Sequence, residues 1–269
     1  MSYADIILPG GRQAVILIHG LTGGPFEMSQ LAKKLNKAGF TVHVPLLAGH
    51  GSSIDDLKKT HWQDWYGTVR KTTASLIESG HSICVAGLCM GAVLALHTAL
   101  EFASDIQAIA AMSTTFQYDG WAIPWYGFLL PLNYYTPARY LYSYPEREPY
   151  GIKNERLRRM VAKGMEDNTL AYDTVPGVSI YELFKLAKTV KKELPRINVP
   201  TLILHSRQDD TASLKNAEYI EHHSGAAYIR KILLNDCYHM ITIDNQKDLV
   251  ADELINFFKE PPAKYAKKA

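Results

Sequence analysis

The sequence is poor in the features by which several classes of protein are recognised. It has only three cysteines in 269 residues, an odd number that favours free thiols in a reducing compartment over a disulfide framework. No run of about 20 apolar residues is free of charge and proline, so no membrane-spanning helix is predicted. Residues 1–11 lack the charged-then-apolar pattern of a signal peptide, and we expect a cytoplasmic protein.

An excess of charge of one sign is also absent. The net charge is +2, so nothing in the composition indicates a nucleic acid partner. The histidines and cysteines do not have the spacing of metal ligands, and we predict neither a metal nor a cofactor. The content of hydrophobic residues, 47%, is that of a globular protein with a large core, and nothing in the sequence specifies its oligomeric state.

Short apolar runs alternate with segments of helical spacing in two parts of the chain. The continuous apolar run at 14–19 is typical of a strand buried on both faces. The same alternation continues to residue 112 and resumes at 195, which predicts an α/β fold with a mostly parallel sheet and helices on both faces. We expect 1–112 and 195–269 to form this core. The regular pattern lapses over 113–194, and this segment is predicted to be an inserted cap.

The most informative motif is Gly87-Leu88-Cys89-Met90-Gly91, which lies between a predicted strand and a predicted helix. A turn from strand to helix is so tight in this arrangement that side chains two residues before and after the centre would clash. It holds the central residue in strained backbone above the edge of the sheet. A turn with a cysteine buried only as core filler is the alternative. Because both flanking elements are present, we predict that Cys89 is a covalent nucleophile.

A glycine-rich segment, residues 19–24, directly follows the first predicted strand. Acyl transfer needs backbone N–H donors directed at the oxyanion that develops during the reaction. We predict that the N–H groups of Leu21 and Met90 supply this oxyanion hole. No lysine–serine pair follows the glycines, so the segment is not a phosphate-binding loop.

A base and an acid are expected after the nucleophile, in the order acid and then histidine. His239 follows the last predicted strand, where it can take the thiol proton and later activate water or another acceptor. The loop after the preceding strand offers two neighbouring carboxylates, Asp209 and Asp210, either of which can orient the histidine ring.

With these motifs in hand, the sequence resembles the bacterial carboxylesterase and monoacylglycerol lipase branch of the α/β-hydrolase superfamily. The resemblance implies an α/β-hydrolase fold, with Asp209 as the catalytic acid, Asp210 as the second choice, and Leu21 and Met90 as the oxyanion donors. It covers most of the chain outside the cap and rests on His19–Gly23, Gly49–Gly51, Trp62–Trp65, Gly87–Gly91, Val199–Leu202, the Asp209 loop with Asn216–Ile220, and His239–Asp244.

The sequence departs from this branch at Cys89, because these esterases usually carry serine there. Cysteine nucleophiles do occur elsewhere in the superfamily, in dienelactone hydrolases and polyhydroxyalkanoate synthases. A thioester intermediate can be intercepted by amines, alcohols or thiols as well as by water. The sequence therefore leaves open an ester or thioester hydrolase, an acyltransferase or condensing enzyme, an engineered serine-to-cysteine variant, and a non-catalytic protein that binds an acyl ligand.

The predicted cap is rich in aromatic residues between 116 and 150. A cap of this composition over the nucleophile predicts an apolar pocket for medium or long acyl groups. Alternatively, the aromatic residues fill the core of the cap itself or contact lipid at an interface. The residues assigned to the pocket are Trp121, Trp125, Tyr126 and Phe128.

The later part of the cap is basic. This pattern favours a solvated face, and the alternative is a surface for an anionic acyl carrier such as acyl-CoA or an acyl carrier protein. The basic residues are Lys153, Arg156, Arg158, Arg159, Lys163, Lys185, Lys188, Lys191 and Lys192.

Overall fold

Strands and helices alternate along the chain. The computed structural model describes residues 4–124, 127, 135–166 and 172–261. The strands in this part of the chain are β1 (Ile6–Leu8), β2 (Gln13–Ile18), β3 (Thr41–Val44), β4 (Ser82–Leu88), β5 (Ile106–Met112), β6 (Ser143–Pro145), β7 (Thr174–Pro176), β8 (Thr201–Ser206) and β9 (Ile229–Leu234). The α-helices are α1 (Phe26–Lys37), α2 (Ile54–Lys59), α3 (Trp62–Glu78), α4 (Met90–Glu101), α5 (Glu155–Glu166), α6 (Gly177–Glu193), α7 (Leu214–His223) and α8 (Lys247–Lys259).

The main sheet is mostly parallel, which confirms the fold class expected from the sequence. Its strand order is β1-β3-β2-β4-β5-β8-β9. Only β1 runs antiparallel to its neighbour, and the other adjacent strands are parallel. The alternation of strand and helix did not reveal β1, because it has only three residues and no helix separates it from β2.

Both faces of the main sheet are buried. On β2, Ala14, Ile16 and Ile18 belong to the core on one face, whereas Val15 and Leu17 belong to the core on the other. This is the period of two that a strand imposes, with apolar residues at every position because helices cover both sides. Each fully buried Leu, Ile or Val side chain contributes about 1.5–3 kcal/mol to folding.

The helices divide between the two faces. Helices α3, α4 and α6 contribute their buried residues to the same cluster as Ile16, whereas α1 and α8 contribute theirs to the cluster around Leu17. Nine residues of α4 are buried, from Met90 to Ala99. Small residues such as Ala92, Ala95 and Ala99 let this helix lie close to the sheet, which positions its first turn firmly at the end of β4.

The segment between β5 and β8 is more regular than the sequence analysis expected. Strands β6 and β7 form a separate antiparallel pair, and the prediction that regular structure lapses over 113–194 is wrong for α5 and α6. Apolar residues in α6 recur at helical spacing, at 180, 183, 187 and 190, and pack into the same cluster as α4. The basic residues between them obscured this pattern. The domain boundaries themselves stay a prediction.

Within the described ranges, no helix is both long and apolar enough to cross a bilayer.

The turn between β4 and α4 is crowded by backbone atoms. A Cβ added to Gly87 would lie 1.9 Å from the carbonyl oxygen of Gly91, and one added to Gly91 would lie 2.1 Å from the carbonyl oxygen of Ile18. Backbone atoms held in a sheet and a helix cannot move aside as a flexible side chain can. Glycine at both positions is therefore a steric requirement of the turn.

We predict that Gly91→Ala destabilises the protein by at least about 1–3 kcal/mol, the range for overpacking in a close-packed interior. The matched control is Gly67→Ala in α3, where an added Cβ would meet no atom within 4 Å. This control should be stabilised by about 0.5–1 kcal/mol, because alanine has the higher helix propensity. Urea unfolding of both variants measures the difference, and equal effects would contradict the proposed packing constraint.

Candidate active site

Cys89 lies at the junction of β4 and α4, in a backbone conformation that non-glycine residues rarely adopt. Its φ is 58° and its ψ is −118°, so it is one of three non-glycine residues with positive φ in the described ranges. Its N–H donates to the carbonyl oxygen of Met112 at the end of β5, at 3.0 Å. The residue is 8% exposed, and it lines a cavity at the carboxyl edge of the sheet. This is the strained turn that the glycine pattern predicts.

His239 and Asp209 meet in the loops that follow β9 and β8. The Nδ1 atom of His239 lies 3.0 and 2.9 Å from the two carboxylate oxygens of Asp209. Asp209 is held in turn by the N–H groups of Thr211 and Ala212, which donate to its Oδ1 at 2.9 and 2.7 Å. The carboxylate is therefore held in place by its own loop, so that it can orient the histidine ring.

The electrostatics of this pair favour a charged histidine. Burial by itself lowers the pKa of His239, but the Asp209 carboxylate and then the nearby Cys89 sulfur more than offset it, so that the pKa is raised well above 6.5. Burial raises the pKa of Asp209, whereas His239 and the neighbouring His205 lower it by more, so that its pKa lies below the ordinary value. The pair thus stabilises an imidazolium, as a general base needs after it has taken a proton.

The remaining nitrogen of His239 faces the cavity. The side chain is 5% exposed in relative terms, and its Nε2 makes no hydrogen bond with any described residue. The Cys89 sulfur is close enough to contribute to the raised pKa of the ring. Nε2 is therefore available to exchange a proton with the Cys89 thiol or with a bound molecule.

Asp210 has a different position from Asp209. Its carboxylate accepts the backbone N–H of His239 at 3.3 Å and that of Gly151 at 3.0 Å, and neither of its oxygens is bonded to the imidazole ring. Burial raises its pKa, and the neighbouring Asp209 adds to the effect. Of the two carboxylates that the sequence offered, Asp209 is the one next to the His239 ring, whereas Asp210 links the histidine loop to the segment between β6 and α5.

Leu21 follows Gly20 in the loop after β2. Its carbonyl oxygen accepts the Nε2–H of His50 at 2.6 Å, which anchors the loop to the segment that follows β3. His19 strengthens this arrangement, since its Nε2 accepts the N–H of Leu47 at 3.2 Å. Burial and then the neighbouring His50 lower the pKa of His19 to about 3, so this ring is neutral. Leu21 lines the cavity beside Cys89, as an oxyanion donor must.

Met90 is the first residue of α4. The first N–H groups of an α-helix have no partner within the helix, so its N–H is available at the helix N-terminus immediately after Cys89. The two predicted donors thus lie on either side of the predicted nucleophile, Leu21 in the loop after β2 and Met90 at the start of α4.

The cavity has a volume of about 370 Å³, and most of its wall is apolar. Trp121 lies outside it: its ring is 60% exposed, packs edge-on against Tyr238 and donates its Nε1–H to the carbonyl oxygen of Gln208 at 2.9 Å. The next three residues, 122–124, do line the cavity. The other predicted pocket residues, Trp125, Tyr126 and Phe128, lie outside the described residues.

Four functional features escaped the sequence analysis. The ring of His205 lies beneath Asp209, with its Nε2 at 2.8 Å from the carbonyl oxygen of Ala212 and 3.4 Å from Oδ2 of Asp209. Gly151, with φ of 71°, passes directly over His239. Two carboxyl groups, those of Glu27 and Glu146, also face the cavity. No motif in the sequence marks any of these residues. Gly151 and Glu146 approach the site from distant segments, whereas His205 and Glu27 lie near their partners in sequence but belong to no recognised pattern.

In the part of the chain that the structure describes, no group of three or more His, Cys, Asp or Glu side chains has the arrangement of a metal site.

Comparison with known proteins identifies the family. The model of the family described as serine aminopeptidase, S33, matches residues 10–246. The thermostable monoacylglycerol lipase of Bacillus sp. strain H-257 is 30% identical over 259 residues, which cover 92% of this chain and 91% of that protein. The carboxylesterase of Bacillus subtilis strain 168 is 25% identical over 252 residues, which cover 93% of this chain and 94% of that protein.

Solved structures agree with these relatives. A structure from the metagenome-derived lipolytic enzymes LipS and LipT superposes with a TM-score of 0.83 at 27% identity, covering 96% of this chain and 98% of that one. The monoacylglycerol lipase of Paleococcus ferrophilus has the same fold, with a TM-score of 0.78 at 18% identity and coverage of 96% and 98%. Because the family model spans most of the chain and the fold is shared throughout, this protein belongs to the serine aminopeptidase S33 family and is an α/β-hydrolase enzyme.

Proposed function

We propose that the protein hydrolyses carboxylic esters, including thioesters, through a covalent acyl intermediate on Cys89. The observation that carries this proposal is the constellation of the strained Cys89, the buried Nε2 of His239 and the Asp209 carboxylate at one cavity. The relatives support the reaction class, since they are a monoacylglycerol lipase and a carboxylesterase. The mostly apolar wall favours apolar acyl groups.

In the first half of the reaction, Nε2 of His239 takes the thiol proton as the Cys89 sulfur attacks the ester carbonyl. The N–H groups of Leu21 and Met90 bind the resulting oxyanion. The tetrahedral intermediate collapses with cleavage of the bond to the alcohol, which leaves with the proton from His239. Residues 113–194 act in this proposal as the cap that shields the thioester from bulk solvent.

In the second half, His239 removes a proton from water, which attacks the thioester carbonyl. The carbon–sulfur bond breaks, the thiolate takes the proton back from His239, and the carboxylic acid leaves. Asp209 stays ionised throughout and stabilises the imidazolium at both steps. The reaction consumes one ester and one water and yields one acid and one alcohol.

We predict that an activated medium-chain ester such as p-nitrophenyl hexanoate leaves an acyl mass on the protein, detected by intact-protein mass spectrometry. The adduct should be absent from Cys89→Ala. Cys84→Ala is the matched control, because Cys84 is a fully buried thiol on the same strand whose pKa is raised by burial to about 12. Rapid decay of the adduct in buffer is expected of a hydrolase. An adduct that persists until an amine, alcohol or thiol is added would indicate an acyltransferase instead, and an adduct that survives in Cys89→Ala would contradict the proposed nucleophile.

The two adjacent carboxylates are expected to differ in their effect on turnover. Asp209→Asn should lower kcat by up to about 10⁴-fold, as for the orienting aspartate of other triads, because it leaves the ring without its carboxylate. Asp210→Asn should cost far less, since the lost contacts are to backbone N–H groups. Steady-state kinetics with p-nitrophenyl hexanoate measure both. Equal losses would indicate that the histidine loop, rather than the charge on Asp209, limits the reaction.

The raised pKa of His239 predicts a pH-dependent contribution to stability. A histidine whose pKa is higher in the folded state stabilises the protein fully below its unfolded pKa of about 6.5, and this stabilisation is lost as the pH rises through the folded value. The free energy of unfolding of the parent should therefore fall more steeply above pH 6.5 than that of His239→Gln. Urea unfolding at several pH values tests this, and parallel curves for the two proteins would contradict the pairing with Asp209.

A further inference from the structure

Two carboxyl groups that the proposed reaction does not use face the active-site cavity. Glu27 belongs to the first turn of α1, and Glu146 follows β6. The N–H of Gly20 donates to Oε2 of Glu27 at 2.9 Å, and the hydroxyl of Thr22 donates to Oε1 of Glu146 at 3.2 Å. The loop after β2 thus donates a hydrogen bond to each carboxyl group, and both groups line the active-site cavity.

Glu27 lies next to the predicted nucleophile. A Cβ placed on Gly20 would lie 3.4 Å from Oε2 of Glu27 and 3.6 Å from the Cβ of Cys89. The carboxyl group and the cysteine therefore both lie beside Gly20. A group bound to Glu27 would be within reach of the ester bond at Cys89.

Neither carboxyl group forms an ion pair in the part of the chain that the structure describes, although the charge of His239 lowers the pKa of both. Their hydrogen-bond donors are a backbone amide and a hydroxyl. The lining of the cavity includes Arg147, whose side chain is exposed, and His239, which is paired with Asp209.

Burial makes ionisation of both groups unfavourable. Burial raises the pKa of Glu27 to about 7. The hydrogen bond from the N–H of Gly20 and the charge of His239 lower this pKa, whereas the charge of Glu146 raises it. Burial likewise raises the pKa of Glu146, against the hydroxyl of Thr22 and His239. A bound cation would offset this cost for both carboxylates, whereas a neutral alcohol would not.

A third polar group of the same cavity, the proposed general base, is also open to a bound molecule. The Nε2 atom of His239 is buried and has no hydrogen-bond partner among the described residues. Buried polar atoms are rarely left unpaired, except where a substrate or water completes them. The histidine and the two glutamates therefore bound one space that is polar on this side and apolar on the rest of its wall.

We propose that Glu27 and Glu146 bind a positively charged amine on the alcohol side of the ester, which makes esters of amino alcohols the preferred substrate class. The apolar wall takes the acyl chain, so the charged group lies toward the leaving group. This inference rests on the proposed ester hydrolysis at Cys89. Phe26, Tyr118 and Tyr144 in the same wall suit a quaternary ammonium group as well, because aromatic faces attract cations.

The test compares hexanoylcholine with 3,3-dimethylbutyl hexanoate, which has the same shape but carries a carbon in place of the charged nitrogen. The parent should prefer the choline ester in kcat/KM by about tenfold or more. Glu27→Gln and Glu146→Gln should bring this ratio towards one. The ratio cancels any general loss of active protein, so a merely structural role of either glutamate would leave it unchanged.

The matched control is Glu78→Gln, which removes the same charge from an exposed position at the end of α3 and should keep the parental ratio. A parent that hydrolyses both esters, and 1-monohexanoylglycerol, equally well would overturn the proposal and leave ester hydrolysis intact. A parent that hydrolyses none of them, nor p-nitrophenyl hexanoate, would overturn the proposed function. In that case calorimetry with hexyltrimethylammonium tests the cation-binding subsite separately from ester hydrolysis. Binding about tenfold weaker in Glu27→Gln than in the parent supports the subsite, and equal binding in both proteins refutes it.

Discussion

The active site depends on one steric constraint, the turn at which β4 becomes α4. Glycine at 87 and 91 lets backbone atoms approach where a Cβ would lie about 2 Å from a carbonyl oxygen. The same turn forces Cys89 to a φ of 58° and presents the N–H of Met90 beside it. The strain at Cys89 is supported by α4, which is buried along most of its length, and by the central strands of the sheet, so a rigid core positions the proposed nucleophile.

The other residues of the site lie on loops, and these loops are fastened to one another. Asp210 receives N–H groups from both His239 and Gly151, and the N–H of Met240 donates back to the carbonyl oxygen of Gly151 at 2.8 Å. Asp244 binds the N–H groups of Lys153, at 2.7 Å, and of Asn154 in the same way. The segment just before α5, residues 151–154, is therefore hydrogen-bonded to the histidine loop. A movement of that segment would be transmitted directly to His239.

The sequence predicted the parts of the protein that local patterns determine. The buried strand at 14–19 and the turn around Cys89 follow from strand and helix periods and from short-range sterics, and the order of acid and histidine follows from the chain order that accompanies this motif. It left Asp209 and Asp210 undecided, because both follow β8 and only the resemblance favoured Asp209. The approach of Glu146 to the loop after β2 was beyond prediction, since a contact across more than a hundred residues leaves no periodic signal. Trp121 was assigned to the pocket by composition, which does not specify the direction of a side chain.

Burial has opposite outcomes for the acidic groups of this site, and the difference lies in their partners. Asp209 is buried, yet its pKa is lowered, because an imidazole ring and two N–H groups are fixed against it. Among the described residues Glu27 has one N–H donor and no ion pair, and the more distant charge of His239 does not offset its burial, so its pKa rises to about 7. The carboxylate beside the histidine ring thus has strong partners within the protein, whereas Glu27 has weaker ones. A positively charged molecule in the cavity would lower the pKa of Glu27, so the ionisation of Glu27 is sensitive to the charge of a bound ligand.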